Sequence, residues 1–185
     1  MRARGWSLRG RSSQALGPKL VPPLVERTDM TLAILRSNDG ESELALQFEA
    51  RVAYATEPGL EASVRLRGQH WDGDHTHDLV VEIDTLWLRA QELSRLRETL
   101  ADWLKRPMHR LDPDDLDGEF QLACLPGQCV TLRFGARPDV SHDRNPVVTV
   151  AFAAGALTGE FNFTTDQSCL ELFRRDLSAA LQSSG

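Results

Sequence analysis

No apolar run in this 185-residue chain approaches the roughly 20 residues that a membrane-spanning helix requires, which excludes a helical membrane protein. Cysteine is scarce. Cys124, Cys129 and Cys169 are odd in number and lack a C-x-x-C spacing, so neither a disulfide framework nor a zinc site follows from them. A reducing cytoplasm is the expected compartment. The chain also lacks a G-x-S-x-G elbow, a phosphate-binding loop, a Gly-rich dinucleotide fingerprint and a paired-histidine zinc motif. No catalytic residue, cofactor or metal is therefore expected. What is present is the balance of an ordinary globular chain, 41% hydrophobic and 26% charged. Its length suits one domain, which at this size buries roughly 70% of the surface its unfolded form exposes.

Charge is unevenly spread. The net charge of −6 combines a basic start with an acidic body. Residues 1–29 hold six basic residues, Arg2, Arg4, Arg9, Arg11, Lys19 and Arg27, against Glu26 and Asp29, for a local charge of +4. The rest carries −10, from 15 basic and 25 acidic residues. Such a body repels nucleic acid and favours basic partners. The first 29 residues show no periodic apolar face and carry the Val21-Pro22-Pro23 break. They read as a disordered extension or as the product of a misassigned start, with Met30 as the true first residue. A transit peptide fits their Arg- and Ser-rich composition, but Pro18, Pro22 and Pro23 spoil the amphipathic helix it needs.

Residues 30–185 then read as a single α+β domain. Leu32 and Ile34 open a first strand, and after the Asn38-Asp39-Gly40 turn Leu44, Leu46, Phe48, Ala50 and Val52 alternate with polar residues. Pro58-Gly59 is read as the next turn. Leu60, Ala62, Val64 and Leu66 follow, and then Leu79, Val81 and Ile83. One dry and one wet face per strand is the pattern of an antiparallel sheet. A helix is expected over about 90–104. The layout then repeats with Phe120, Leu122 and Cys124, a Pro126-Gly127 turn, Val130, Leu132 and Phe134, then Val148, Val150 and Phe152, then Leu157, Phe161 and Phe163. A second helix starts near Thr165, with Thr164 and Gln167 spaced as a capping box and Asp166 in its first turn.

Both helices carry one hydrophobic spacing: Leu93, Leu96, Leu100, Trp103 and Leu104, then 77 residues later Leu170, Phe173, Leu177, Ala180 and Leu181. The fold expected is thus about eight mostly antiparallel strands and two helices, in two similar strands-then-helix units. Whether the strands make one sheet or two, and the oligomeric state, stay open.

Three polar clusters invite chemistry. His70 to Asp78, HWDGDHTHD, holds the donor types of a divalent-cation site, yet Asp72-Gly73 is a hairpin-turn signal and a solvated tip is the simpler reading. Ser141, His142 and Asp143 have the residue types of a triad, but consecutive side chains do not converge, and the stretch is a polar loop. Cys124 and Cys129 flank the Pro126-Gly127 turn. A disulfide across it is one reading, but Cys124 is in phase with Phe120 and Leu122 and is expected inside. Trp87 and Trp103 are expected in the core.

The acidic run Asp112, Asp114, Asp115, Asp117 and Glu119 is a solubilising loop or a surface for a basic partner. The tip HWDG, the segment IDTLWLRAQELSRLRETLADWL and the closing TGEFNFTTDQSCLELFRRDL resemble the WapI-type immunity proteins of bacteria, over about Met30 to Leu181. After Trp-Asp that family carries a small residue, an amide and a second Trp, where this chain has His75, Thr76 and His77. The resemblance implies a cytoplasmic antidote that binds and occludes a cognate protein toxin, with no catalytic residues of its own. The residues expected to meet a basic toxin are Asp112, Asp114, Asp115 and Asp117, then Asp72 and Asp74. The alternatives are an enzyme or metal-binding protein using the His70 to Asp78 loop, or an unrelated interaction domain.

Overall fold

The computed structural model describes residues 31–54, 57–71, 76–106, 112–116, 118–135 and 145–182. The expected extension over residues 1–29 lies outside them. The described residues form β1 (Thr31–Arg36), β2 (Glu43–Tyr54), β3 (Glu57–Trp71), β4 (Thr76–Arg89) and α1 (Ala90–Leu104). After a 3₁₀ turn (Pro113–Leu116) come β5 (Gly118–Leu125), β6 (Gln128–Gly135), β7 (Val147–Ala154), β8 (Leu157–Thr164) and α2 (Gln167–Gln182). The strands make two antiparallel four-stranded sheets, β1-β2-β3-β4 and β5-β6-β7-β8, each followed by its helix. The two-unit α+β layout read from the sequence is therefore the observed one.

Each sheet turns one face inward. Leu44, Leu46 and Phe48 of β2, Leu60, Ala62, Val64 and Leu66 of β3, Val130, Leu132 and Phe134 of β6, and Val148, Val150 and Phe152 of β7 are buried as their alternation requires. Leu93, Leu96, Leu100 and Trp103 of α1 and Leu170, Phe173, Leu177 and Ala180 of α2 are fully or almost fully buried, in one cluster with both sheets. Leu104 and Leu181 pack partly against it. Full burial of each large side chain contributes about 1.5–3 kcal/mol, far more than helix propensity supplies. α1 lies against β3, β4, β5 and α2, whereas α2 lies against β1 and α1.

The end of the first strand meets the end of the last. Asn38 N–H donates to the Thr164 carbonyl at 3.0 Å, and Thr165 N–H to the Pro146 carbonyl at 3.0 Å. The Thr165 hydroxyl, fully buried, donates to the Arg36 carbonyl at 2.7 Å. The Asn38-Asp39-Gly40 turn beside it forms as expected, with Gly40 at φ +76°. There the Ser37 hydroxyl donates to the Asp39 carboxylate, which also accepts Glu41 N–H at 3.0 Å. These two bonds hold the Asp39 carboxyl below its ordinary pKa.

Several local expectations are corrected. In β1 the inward residues are Ala33 and Leu35, while Leu32 is 46% exposed, because Ala33 and Leu35 pair with inward Leu46 and Leu44 of β2. Pro58-Gly59 is not a turn: β3 already starts at Glu57, opposite Tyr54, and Pro58 pairs with Ala53. Gly59 is instead a point of close approach, where a Cβ would sit 2.1 Å from Trp87 Nε1. Trp87 is buried as expected but lies outside the main cluster. Between Ile83 and Leu86, β4 has Asp84 and Thr85 where β3 has only Ser63, and Thr85 takes φ +57°. That bulge swaps the faces, so Trp87 crosses Gly59 on the outer side while Leu86 and Leu88 point in. Leu79 and Leu157, read as inward, are 45% and 48% exposed near strand ends. Val81 and Phe161 are half-buried against the core.

Helix α2 begins at Gln167 and is capped by Asp166, whose carboxylate accepts Cys169 N–H at 2.8 Å, while its carbonyl accepts Leu170 N–H. The cap is therefore Asp166 and not the expected Thr164, two residues earlier, because Thr165 is committed to the β1 corner and Asp166 is the first residue free to cap.

Candidate functional site

The acidic stretch after α1 is a docked turn. Trp103, in the last turn of α1 and almost fully buried, donates its indole N–H to the Asp112 carbonyl at 2.9 Å. Asp115 N–H donates to that same carbonyl at 3.0 Å, closing the 3₁₀ turn. Pro113 and Leu116 are buried, the latter completely, and the turn packs on α1 and β6. Apolar anchors at the first and fourth positions explain the geometry: they pull the turn inward and leave Asp112 and Asp115 exposed.

Asp115 is met by a local cation, the Arg106 guanidinium, with which it forms a hydrogen-bonded ion pair at the surface. Lys105 pairs with Asp102 at 2.9 Å one turn earlier. On the neighbouring side Arg95 pairs with Glu92 at 2.7 Å, donates to the Glu119 carbonyl and lies 4.4 Å over the Phe120 ring. Asp115, Asp102 and Glu92 are thus each paired with a cation close in sequence. Pairs this exposed contribute about 0–1 kcal/mol each and exchange readily for other charges.

Of the residues singled out in the sequence, Asp112 and Asp115 share this turn. The Asp114 side chain, Asp117, Asp72 and Asp74 lie outside the described residues. In the His70 to Asp78 stretch the backbone register sets His70 opposite His77 and Trp71 opposite Thr76, as a hairpin requires, and Asp78 is exposed. The tip, Asp72 to His75, lies outside the described residues, as does Ser141-His142-Asp143. Among the described residues no group of three or more His, Cys, Asp or Glu is placed to hold a metal ion. No described helix is long and apolar enough to cross a membrane.

Cys124 corrects an expectation: it is exposed. Gln121 pairs with Thr131 and Ala123 with Val130, so Leu122 is an extra residue in β5. Leu122 and Ala123 both point inward and Cys124 is turned out. Residues that the sequence did not signal are Thr165 and the Arg106 partner of Asp115. Neither lies in a motif, and only the meeting of distant segments gives them a role.

No protein-family model matches the chain, and no curated protein does. Among solved structures, a chain from the crystal structures of Trypanosoma bruciei MRP1/MRP2 is similar at 13% identity, with 85% of this chain and 86% of that chain covered and a TM-score of 0.38. A likeness at this level carries no argument about function.

Proposed function

We propose that this protein is a binding protein that captures a basic protein partner one to one, and that the partner is a bacterial toxin it neutralises. The observation that carries the binding reading is the docked acidic turn. Trp103, Pro113 and Leu116 fix the backbone, so Asp112 and Asp115 are offered from a rigid support and lose little entropy on being engaged. A charge of −10 over residues 30–185 adds long-range steering toward a cationic surface. The toxin in this reading comes from the resemblance of HWDG and the two strand-and-helix segments to WapI-type immunity proteins. No cofactor, metal, nucleic acid or membrane enters it, and the cytoplasm is its compartment.

Co-expression with a toxin domain encoded beside this chain should restore growth that the toxin alone arrests. Persistent arrest, with both proteins soluble, would remove the toxin as partner. Changing Asp112, Asp114, Asp115 and Asp117 to Lys should slow association with that domain by roughly tenfold or more at low salt, and the difference should shrink as the Debye length falls below about 10 Å. An unchanged association rate, with the melting temperature also unchanged, would remove the acidic turn from the interface.

A further inference from the structure

The β5–β6 hairpin sets its two cysteines opposite each other, with Cys124 and Cys129 as direct cross-strand partners. The intervening turn has two residues, Pro126 and Gly127, the latter at φ +80°. A two-residue turn makes its flanking pair, Leu125 and Gln128, the hydrogen-bonded one. The next pair outward is then non-hydrogen-bonded, the position where opposed Cα atoms approach to about 4.5 Å and side chains stand closest. That separation lies inside the roughly 4.4–6.8 Å that a disulfide spans.

We propose that Cys124 and Cys129 form a redox modification site, a cross-strand dithiol that reacts with a small disulfide such as oxidised glutathione and closes to an intramolecular disulfide. The two thiols differ in access, as attacker and resolver should. Cys124 is exposed and open to a small disulfide from solvent. Cys129 is half-buried, its Sγ 3.7 Å from the Thr131 hydroxyl, with small Ala153 as its partner on β7. A glutathionyl group on Cys124 therefore faces a second thiol across the ladder.

In the first step the Cys124 thiolate attacks one sulfur of the small disulfide, forming a mixed disulfide and releasing one thiolate. Cys129 then loses its proton and attacks Cys124 Sγ. The Cys124–Cys129 bond forms as the mixed disulfide breaks, and the second thiolate leaves. Two protein thiols are oxidised and one disulfide is reduced to two thiols, which take up the two protons. An exposed cross-strand bond closing so short a loop belongs to the labile class, reopened by excess thiol.

Cys169 supplies the internal control. It sits half-buried in the first turn of α2, where burial and then the Asp166 carboxylate push its thiol pKa up. The full chain, reduced and native, is equilibrated with oxidised glutathione, quenched in acid, alkylated and mapped by mass spectrometry. Cys124 and Cys129 should disappear together, with a mass lower by two hydrogens and a linked peptide, while Cys169 keeps its thiol. In Cys129→Ser the product should stop at one glutathione on Cys124. In Cys124→Ser the modification of Cys129 should slow by about tenfold or more. Two separate mixed disulfides, a dimer joined through Cys124, or both thiols left free while Cys169 reacts would each overturn the proposal.

Discussion

Replacing Gly59 by Ala tests the close approach between β3 and the Trp87 indole. The new Cβ would lie 2.1 Å from Nε1, 2.2 Å from Cε2 and 2.7 Å from Cζ2 of that ring, well inside any tolerable contact. Trp87 is only 8% exposed, so the indole cannot swing aside without breaking its own packing. Overpacking of this kind costs about 1–3 kcal/mol. Loss of glycine's freedom in the unfolded chain returns about 0.4–1 kcal/mol. The net expectation is about 1–2 kcal/mol of destabilisation, a drop of roughly 2–8 °C in melting temperature for a domain of this size. Trp87→Ala should itself cost about 3–5 kcal/mol by truncating a buried aromatic. In that background the collision is gone, and adding Gly59→Ala should be neutral or slightly stabilising. Urea unfolding of the wild type, both single variants and the double variant closes the cycle, and the coupling should be about 1–3 kcal/mol. If Gly59→Ala costs the same with and without the indole, the ring does not lie over Gly59 and the β4 bulge does not turn Trp87 outward.

Thr165→Val keeps the side-chain shape but removes the buried donor to the Arg36 carbonyl, and chemical denaturation should show a loss of about 1–3 kcal/mol. Asp166→Ala should cost about 1 kcal/mol as a lost helix cap, whereas Thr164→Ala should cost less; the reverse order in thermal melts would restore Thr164 as the cap. The Asp39 carboxyl titrates below its ordinary value because of its Ser37 and Glu41 bonds, so its contribution is complete above the unfolded pKa near 4 and is lost as pH falls through the folded value. The stability advantage of the wild type over Ser37→Ala should accordingly be flat from about pH 5 upward and narrow in acid. An advantage that grows on acidification would refute that origin.

The helices were legible because their information is local. Leu93, Leu96, Leu100 and Trp103, and Leu170, Phe173, Leu177 and Ala180, sit on one stripe of a 3.6-residue period, and the structure buries those eight. The centres of β2, β3, β6 and β7 were legible for the matching reason, since an apolar residue at every second position leaves one register that buries them. Asp112 and Asp115 could be read as an acidic cluster, but their docking through Trp103 and Leu116 could not, because it depends on where the end of α1 meets β6.

What a single strand cannot encode is its partner's residue count. A bulge is one strand's excess over another, so the outward turns of Cys124 and Trp87 and the close approach at Gly59 appear only once β5 lies on β6 and β4 on β3. β1 failed for a related reason: Leu32, Ala33, Ile34 and Leu35 are apolar at both parities, and pairing with β2 chose Ala33 and Leu35 for the core. The sequence by itself determined the order of elements, their periods and the inward stripe of each helix, because those follow from side chains a few positions apart along one backbone. The division into two sheets, the meeting of the ends of β1 and β8 through Thr165 and the outward turn of Cys124 were decided only by tertiary structure, because each is a relation between backbones that no local period contains.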